Sequence, residues 1–102
     1  MIAAETLKSI AKQLMTSTSV SIGGKSVPVR ATSRQHLKTA AFTIGGHKYQ
    51  AIEQNPEKPS RWGHLARSGR QVVQIKDAEN NRFVAVVVDG EVTFYGASKE
   101  QP

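Results

Sequence analysis

Two glycine pairs, each set between short segments of alternating apolar and polar residues, place the strongest constraint on the fold of this chain. The pairs are Gly23-Gly24 and Gly45-Gly46, and an isoleucine precedes each of them. Glycine adopts without strain the positive φ angles that both central residues of a type I′ turn require. The sequence therefore predicts two β-hairpins with two-residue turns.

These turns also predict which residues face one another. Val20 lies opposite Val27 in the first hairpin and Phe42 lies opposite Tyr49 in the second, so each hairpin has one apolar and one polar face. Pro28 falls on the polar face of the first hairpin. Because proline has no N–H to donate, we expect its strand to lie at a sheet edge.

An amphipathic segment precedes the hairpins. Leu7, Ile10, Ala11 and Leu14 recur at helical spacing, and polar side chains occupy the other side. Good helix formers fill residues 3–15, and the Ser/Thr run that follows favours leaving the helix. The pattern predicts a helix whose apolar stripe packs on the rest of the chain.

The C-terminal part is typical of strands. Segments 71–76, 82–88 and 91–95 are rich in β-branched residues, and Asp89-Gly90 predicts a tight turn between the last two. Segment 82–88 is apolar on both faces, which indicates a central strand covered on each side.

A second, shorter helix is predicted at residues 61–68. Ser60 is a suitable N-cap, apolar residues stand at i, i+3 and i+4 from Trp62, and Gly69 stands where a C-terminal cap glycine belongs.

Together these elements predict an α+β fold, in which the N-terminal helix packs on a curved antiparallel sheet or a small barrel of about seven strands. The 102 residues suit one domain, over residues 1–96, with residues 97–102 as a frayed C-terminal tail.

Positive charge is unevenly distributed along the chain. The net charge is +6, yet no acidic residue lies between Glu5 and Glu53 or between Glu57 and Asp77. Excess positive charge attracts nucleic acids and other polyanions, although it can also serve solubility alone. The candidate residues for binding a nucleic acid or another polyanion are Lys25, Arg30, Arg34, Lys38, Lys48, Lys58, Arg61, Trp62, Arg67 and Arg70.

Trp62 has two interpretations. Within a basic stretch, an aromatic ring is typical of a surface that stacks nucleic-acid bases. At helical spacing with Leu65 and Ala66, the same ring is typical of a core anchor. Both interpretations remain open from the sequence.

No motif predicts catalysis, a cofactor or a metal site. The chain has no cysteine, and its three histidines lack the spacing of metal ligands. Gly23-Gly24-Lys25-Ser26 resembles part of a phosphate-binding loop, but Ser19 stands where that motif needs glycine and Pro28 prevents the helix that must follow.

We therefore expect a non-enzymatic domain. A small basic nuclease is the remote alternative, in which His47 or His64 would work with Glu53 or Glu57 as general acid and base.

The functional expectation is weakly specific binding of nucleic acid or another polyanion through phosphate contacts. The alternative is an interaction module that pairs with a protein, or with itself, through an open edge at strand 91–95, with Tyr95 exposed. Without cysteines, a long apolar segment or an export signal, a cytoplasmic protein is expected, with no membrane partner.

Overall fold

The computed structural model describes residues 2–95. In chain order, its elements are α1 (Ala4–Thr16), β1 (Ser19–Ile22), β2 (Lys25–Pro28), β3 (Arg30–Ala31), β4 (Lys38–Ile44), β5 (His47–Glu53), α2 (Arg61–Arg67), β6 (Val72–Asp77), β7 (Arg82–Val88) and β8 (Glu91–Phe94). Residue 1 and residues 96–102, which include the predicted C-terminal tail, lie outside the described part.

Strands β3 to β8 form one antiparallel sheet in which each strand pairs with its neighbours in the chain. The β1–β2 hairpin is a separate two-stranded sheet, and the described strands do not close into a barrel. The α+β prediction is confirmed in its open-sheet form. The structure has one more strand than the sequence predicted, because β3 forms a two-residue strand of its own.

Both predicted hairpins and their registers are confirmed. Val20 pairs with Val27, and Phe42 pairs with Tyr49. All four turn glycines have positive φ angles between 55° and 82°. Pro28 also lies in a strand with a single partner, since β2 pairs only with β1.

Helix α1 covers one face of the sheet with its predicted apolar stripe. Leu7, Ile10, Ala11 and Leu14 are all buried. They join a single core cluster with alternate residues of the central strands, including Ala51, Val73, Ile75, Ala85 and Val87. Burial of this cluster is the main force that holds the helix on the sheet.

Helix α2 packs against β6 on the opposite face of the sheet. Ser60 caps it as predicted, with its hydroxyl accepting a hydrogen bond from the Gly63 N–H at 3.2 Å. Gly69 follows the helix with a φ of 97°, which is also as predicted. This face includes the buried side chain of Gln74, which donates to Gln54 and accepts from the Tyr95 hydroxyl.

A β-bulge interrupts the pairing of β6 with β7. Ile75 pairs with Ala85 and Lys76 pairs with Phe83, so Val84 has no partner opposite it. Strict alternation from Ala85 would have placed Phe83 on the face that α1 covers. The bulge instead transfers Phe83 to the face of Lys76.

The prediction that segment 82–88 is covered on both faces is therefore only partly correct. Residues 85–87 are buried, as expected for a strand between two neighbours. Phe83, however, is 52% exposed.

Candidate nucleic-acid interface

The sheet face opposite α1 is uncovered around the paired ends of β4 and β5. Strand register places Ala41, Gln50, Lys76 and Phe83 side by side in one row across four strands. Thr43 and Lys48 form the next pair towards the hairpin turn, and Thr39 and Arg30 continue the face on the other side of the row. We call this set the open face: Arg30, Thr39, Ala41, Thr43, Lys48, Gln50, Lys76 and Phe83.

The charge of the open face is entirely positive. Arg30, Lys48 and Lys76 are its charged members, and none of them takes part in a salt bridge among the described residues. One carboxylate, that of Glu79, borders the face and accepts a hydrogen bond from the Lys48 backbone N–H at 3.3 Å. The open face can therefore attract an anion at three separated points.

Phe83 gives this face an exposed aromatic ring. Its position depends on the bulge at Val84, which turns the ring away from the α1 core. Among residues 2–95, the other exposed large apolar side chain is Phe94, which is 44% exposed and lies on the α1 side of β8. The ring of Phe83 lies beside Lys76, and surfaces that bind single-stranded nucleic acid combine an aromatic ring and a cation in this way.

A second aromatic group lies on the same side of the sheet, at α2. The Arg61 guanidinium lies 4.9 Å from the centre of the Trp62 ring, and that ring lies 6.4 Å from Tyr95. The Tyr95 hydroxyl donates to Gln74 at 3.0 Å, and burial raises the pKa of this tyrosine.

This group bears on both interpretations of Trp62. Its ring is half-buried, with one contact to Tyr95 and one cation above it. Tyr95 itself is half-buried and hydrogen-bonded, so the prediction that it is exposed is wrong.

Three of the predicted cations have partners inside the protein. The Lys38 ammonium donates at 3.2 Å to the carbonyl of Met15, near the C-terminal end of α1, where a positive charge is favourable. The Arg67 guanidinium donates to the carbonyls of Pro56 and Lys58 and so holds the β5–α2 loop on the helix.

Arg70 is the third, and it forms a salt bridge with Asp89 at 3.5 Å. Lys58 is exposed in the β5–α2 loop and Arg61 at the start of α2, while Arg34 is exposed in the β3–β4 connection, away from the strands. The predicted residues are thus dispersed, and only Arg30 and Lys48 belong to the open face.

Lys25 and Lys48 both line a groove of about 370 Å³ between the β1–β2 hairpin and β4. Ile22, Val27 and Tyr49 contribute apolar lining. The groove adds a fourth cation, Lys25, next to the turn end of the open face.

His47 has carboxylate partners, but not the ones that the sequence suggested. Its Nε2 atom lies 2.7 Å from an Asp77 carboxylate oxygen, and its Nδ1 atom lies 3.4 Å from Glu79. The hydrogen bond to His47 is the main cause that lowers the pKa of Asp77. Glu53 instead accepts a hydrogen bond from the Lys38 backbone.

The contacts of His47 favour a structural role for this residue. With a carboxylate beside each ring nitrogen, His47 ties the start of β5 to the β6–β7 turn. Both nitrogens already face protein oxygens, so the arrangement suits a structural clamp better than a base that must approach a substrate.

Sequence reasoning missed Lys76 and Phe83 as site residues. Lys76 lies in the second acid-free window, and that signal could have included it. Phe83 has no comparable signal, because a continuous apolar run does not reveal where a bulge occurs.

The chain matches no family model, and comparison with curated proteins and with solved structures gives no significant match. Within residues 2–95, no helix is long and apolar enough to cross a membrane, and no cluster of three or more His, Asp or Glu side chains is arranged to hold a metal ion. Any function of the open face must therefore be inferred from its own residues.

Proposed function

We propose that this protein binds single-stranded nucleic acid, with weak sequence specificity, through the open face. The observation that carries the proposal is the exposed ring of Phe83 beside Lys76, in a row of side chains without an acidic member. An aromatic plane stacks on any base, and a neighbouring cation attracts the phosphate that follows it.

The shape of this surface favours single strands over duplexes. Bases in a duplex are stacked on one another, so a protein ring can reach their faces only after they are unpaired. A sheet face with one exposed stacking ring suits bases that are already unstacked.

The number of cations sets the expected salt dependence. Arg30, Lys48 and Lys76 could each neutralise one phosphate, which gives a logarithmic salt slope of about −2 for a single strand. Raising the salt from about 50 to about 200 mM should then weaken binding about twentyfold. Weak specificity follows because stacking and phosphate contacts distinguish bases poorly.

Another polyanion is the main competing ligand, and it would use the same cations without the ring. Inorganic polyphosphate has the charge of a nucleic acid but no bases. If Phe83 stacks on bases, removing its ring should weaken binding of an oligonucleotide and leave binding of polyphosphate unchanged.

The test is a titration of a fluorescently labelled, mixed-sequence single strand, followed by anisotropy. Lys76→Gln should reduce the salt slope by about 0.7, because one phosphate contact is lost. Phe83→Leu retains an apolar side chain but removes the aromatic plane, and it should weaken binding about tenfold.

Two matched controls separate the open face from charge and aromaticity in general. Lys12→Gln removes an exposed lysine from α1, and Phe94→Leu removes the other exposed phenylalanine, on the α1 side. Both control variants should bind as the unmodified protein does. Equal losses in control and test variants, or no binding at low salt, would refute the proposal.

A further inference from the structure

The last strand of the sheet has a free edge in the described part of the chain. Strand β8 pairs with β7 on one side and with no other strand among the described residues. At the opposite edge, β3 pairs with the first two residues of β4, and the β1–β2 hairpin packs beside the rest of that strand. The free edge of β8 is therefore the longer exposed edge of the six-stranded sheet.

The backbone of β8 alternates between inward and outward hydrogen bonding. The Tyr95 N–H donates to the Val84 carbonyl, which fixes the inward direction at that residue. Since the direction alternates along a strand, the N–H and C=O groups of Val92 and Phe94 point outward. Strand β8 has no proline, lysine or bulge, the devices that normally protect an edge.

We propose that β8 pairs antiparallel with β8 of a second copy of this chain, so that the two sheets join in a symmetric dimer. The register that uses both outward-facing residues places Val92 opposite Phe94 of the other copy and Thr93 on the twofold axis. About four intermolecular hydrogen bonds then form, and every one of them uses a group that points outward.

Side chains favour a second copy over an unrelated strand. Val92 and the half-exposed Phe94 lie on the α1 side of the sheet. In the dimer, Val92 of each copy therefore packs against Phe94 of the other copy. Glu91 is the one charged residue of β8, and in this register it faces Tyr95 of the other copy. Arg61 lies near that tyrosine, and so the carboxylate meets a cationic neighbourhood rather than a second carboxylate.

The first test is the mass of the full chain in solution, measured by sedimentation from about 10 µM to about 1 mM, the range that covers small interfaces. The mass should rise from 11.1 kDa towards twice that value. Over the same range, hydrogen exchange at the Val92 and Phe94 amides should become slower. A constant mass of one chain at all concentrations would overturn the proposal.

The second test uses the symmetry of the predicted pairing. Thr93→Lys and Thr93→Glu each place two like charges on the axis, where cross-strand side chains are closest, so each variant should be monomeric. An equal mixture of the two should recover the dimer, because the axis then carries one charge of each sign.

Recovery in the mixture cannot result from misfolding of either variant. Thr43→Lys, on an exposed residue of β4, is the matched control and should remain dimeric. A dimeric Thr93→Lys variant, or a mixture of folded variants that stays monomeric, would contradict pairing through β8.

Discussion

Replacing Gly63 with alanine should loosen the loop that joins β5 to α2. A Cβ atom at this position would overlap the backbone carbonyl of Lys58. That carbonyl accepts hydrogen bonds from the Ser60 N–H at 2.9 Å and from the Arg67 guanidinium at 3.2 Å. Because backbone cannot move aside as a flexible side chain can, the loop must shift and both hydrogen bonds are strained or lost.

The size of the effect follows from two opposing contributions. Alanine is favoured over glycine inside a helix by about 1 kcal/mol. Two lost hydrogen bonds cost about 2 kcal/mol together, and displacement of the loop adds to that cost. We expect a net loss of about 1–3 kcal/mol in the free energy of unfolding, which lowers the Tm of a domain of this size by roughly 5–20 °C.

Urea unfolding of Gly63→Ala, Arg67→Gln and the double variant would test both the size and the cause. If alanine acts by displacing the Lys58 carbonyl, then the two substitutions remove a shared hydrogen bond and the double variant loses less than the sum of the single losses. A Gly63→Ala protein that is more stable than the unmodified one, or additive losses in the double variant, would refute this reasoning.

Three further predictions concern stability and titration. Leu14→Ala should lower the free energy of unfolding by about 2–5 kcal/mol, because the side chain is fully buried beneath α1; urea unfolding with a loss below about 1 kcal/mol would contradict the core assignment. The hydrogen bond from His47 lowers the pKa of Asp77 in the folded protein below its ordinary value of 3.8. The stability that this hydrogen bond contributes is therefore complete above pH 3.8, and it is lost as the pH falls through the lower pKa that Asp77 has in the folded protein. In Asp77→Asn, the free energy of unfolding should therefore fall less steeply below pH 3.8 than in the unmodified protein. An equally steep fall in both proteins would contradict the interaction. Burial raises the pKa values of both tyrosines, Tyr49 and Tyr95, above 10.0. The absorbance change on tyrosine ionisation should therefore occur at a higher pH in the native protein than in urea, and titration curves that coincide would contradict the burial of these residues.

Local turn chemistry explains why so much of the fold was predictable. Gly23-Gly24 and Gly45-Gly46 allow few other turns, and once a two-residue turn is set, every pair in the hairpin follows from it. The cap formed by Ser60 and the apolar stripe of α1 are equally local signals.

The candidate site was harder to predict because it depends on distant partners. The sequence shows Lys38 and Arg67 as unneutralised cations, but the fold directs them to the carbonyls of Met15, Pro56 and Lys58, which carry no formal charge. A count of charged residues cannot detect such partners.

The ring of Phe83 shows a second limit. Its exposure results from a one-residue bulge between β6 and β7, within a run of apolar residues where every register looks equally favourable. Which face it occupies is decided by its pairing with Lys76 of β6, the strand before it in the chain.

The most direct test of the open face as a binding surface is its footprint in solution. Backbone amide resonances of isotope-labelled protein can be followed while an unlabelled, mixed-sequence single strand is added at low salt. Binding through the open face predicts the largest shifts at Ala41, Gln50, Lys76 and Phe83, with the amides of α1 nearly unchanged. Shifts centred on α1, or spread evenly over all exposed lysines and arginines, would contradict it.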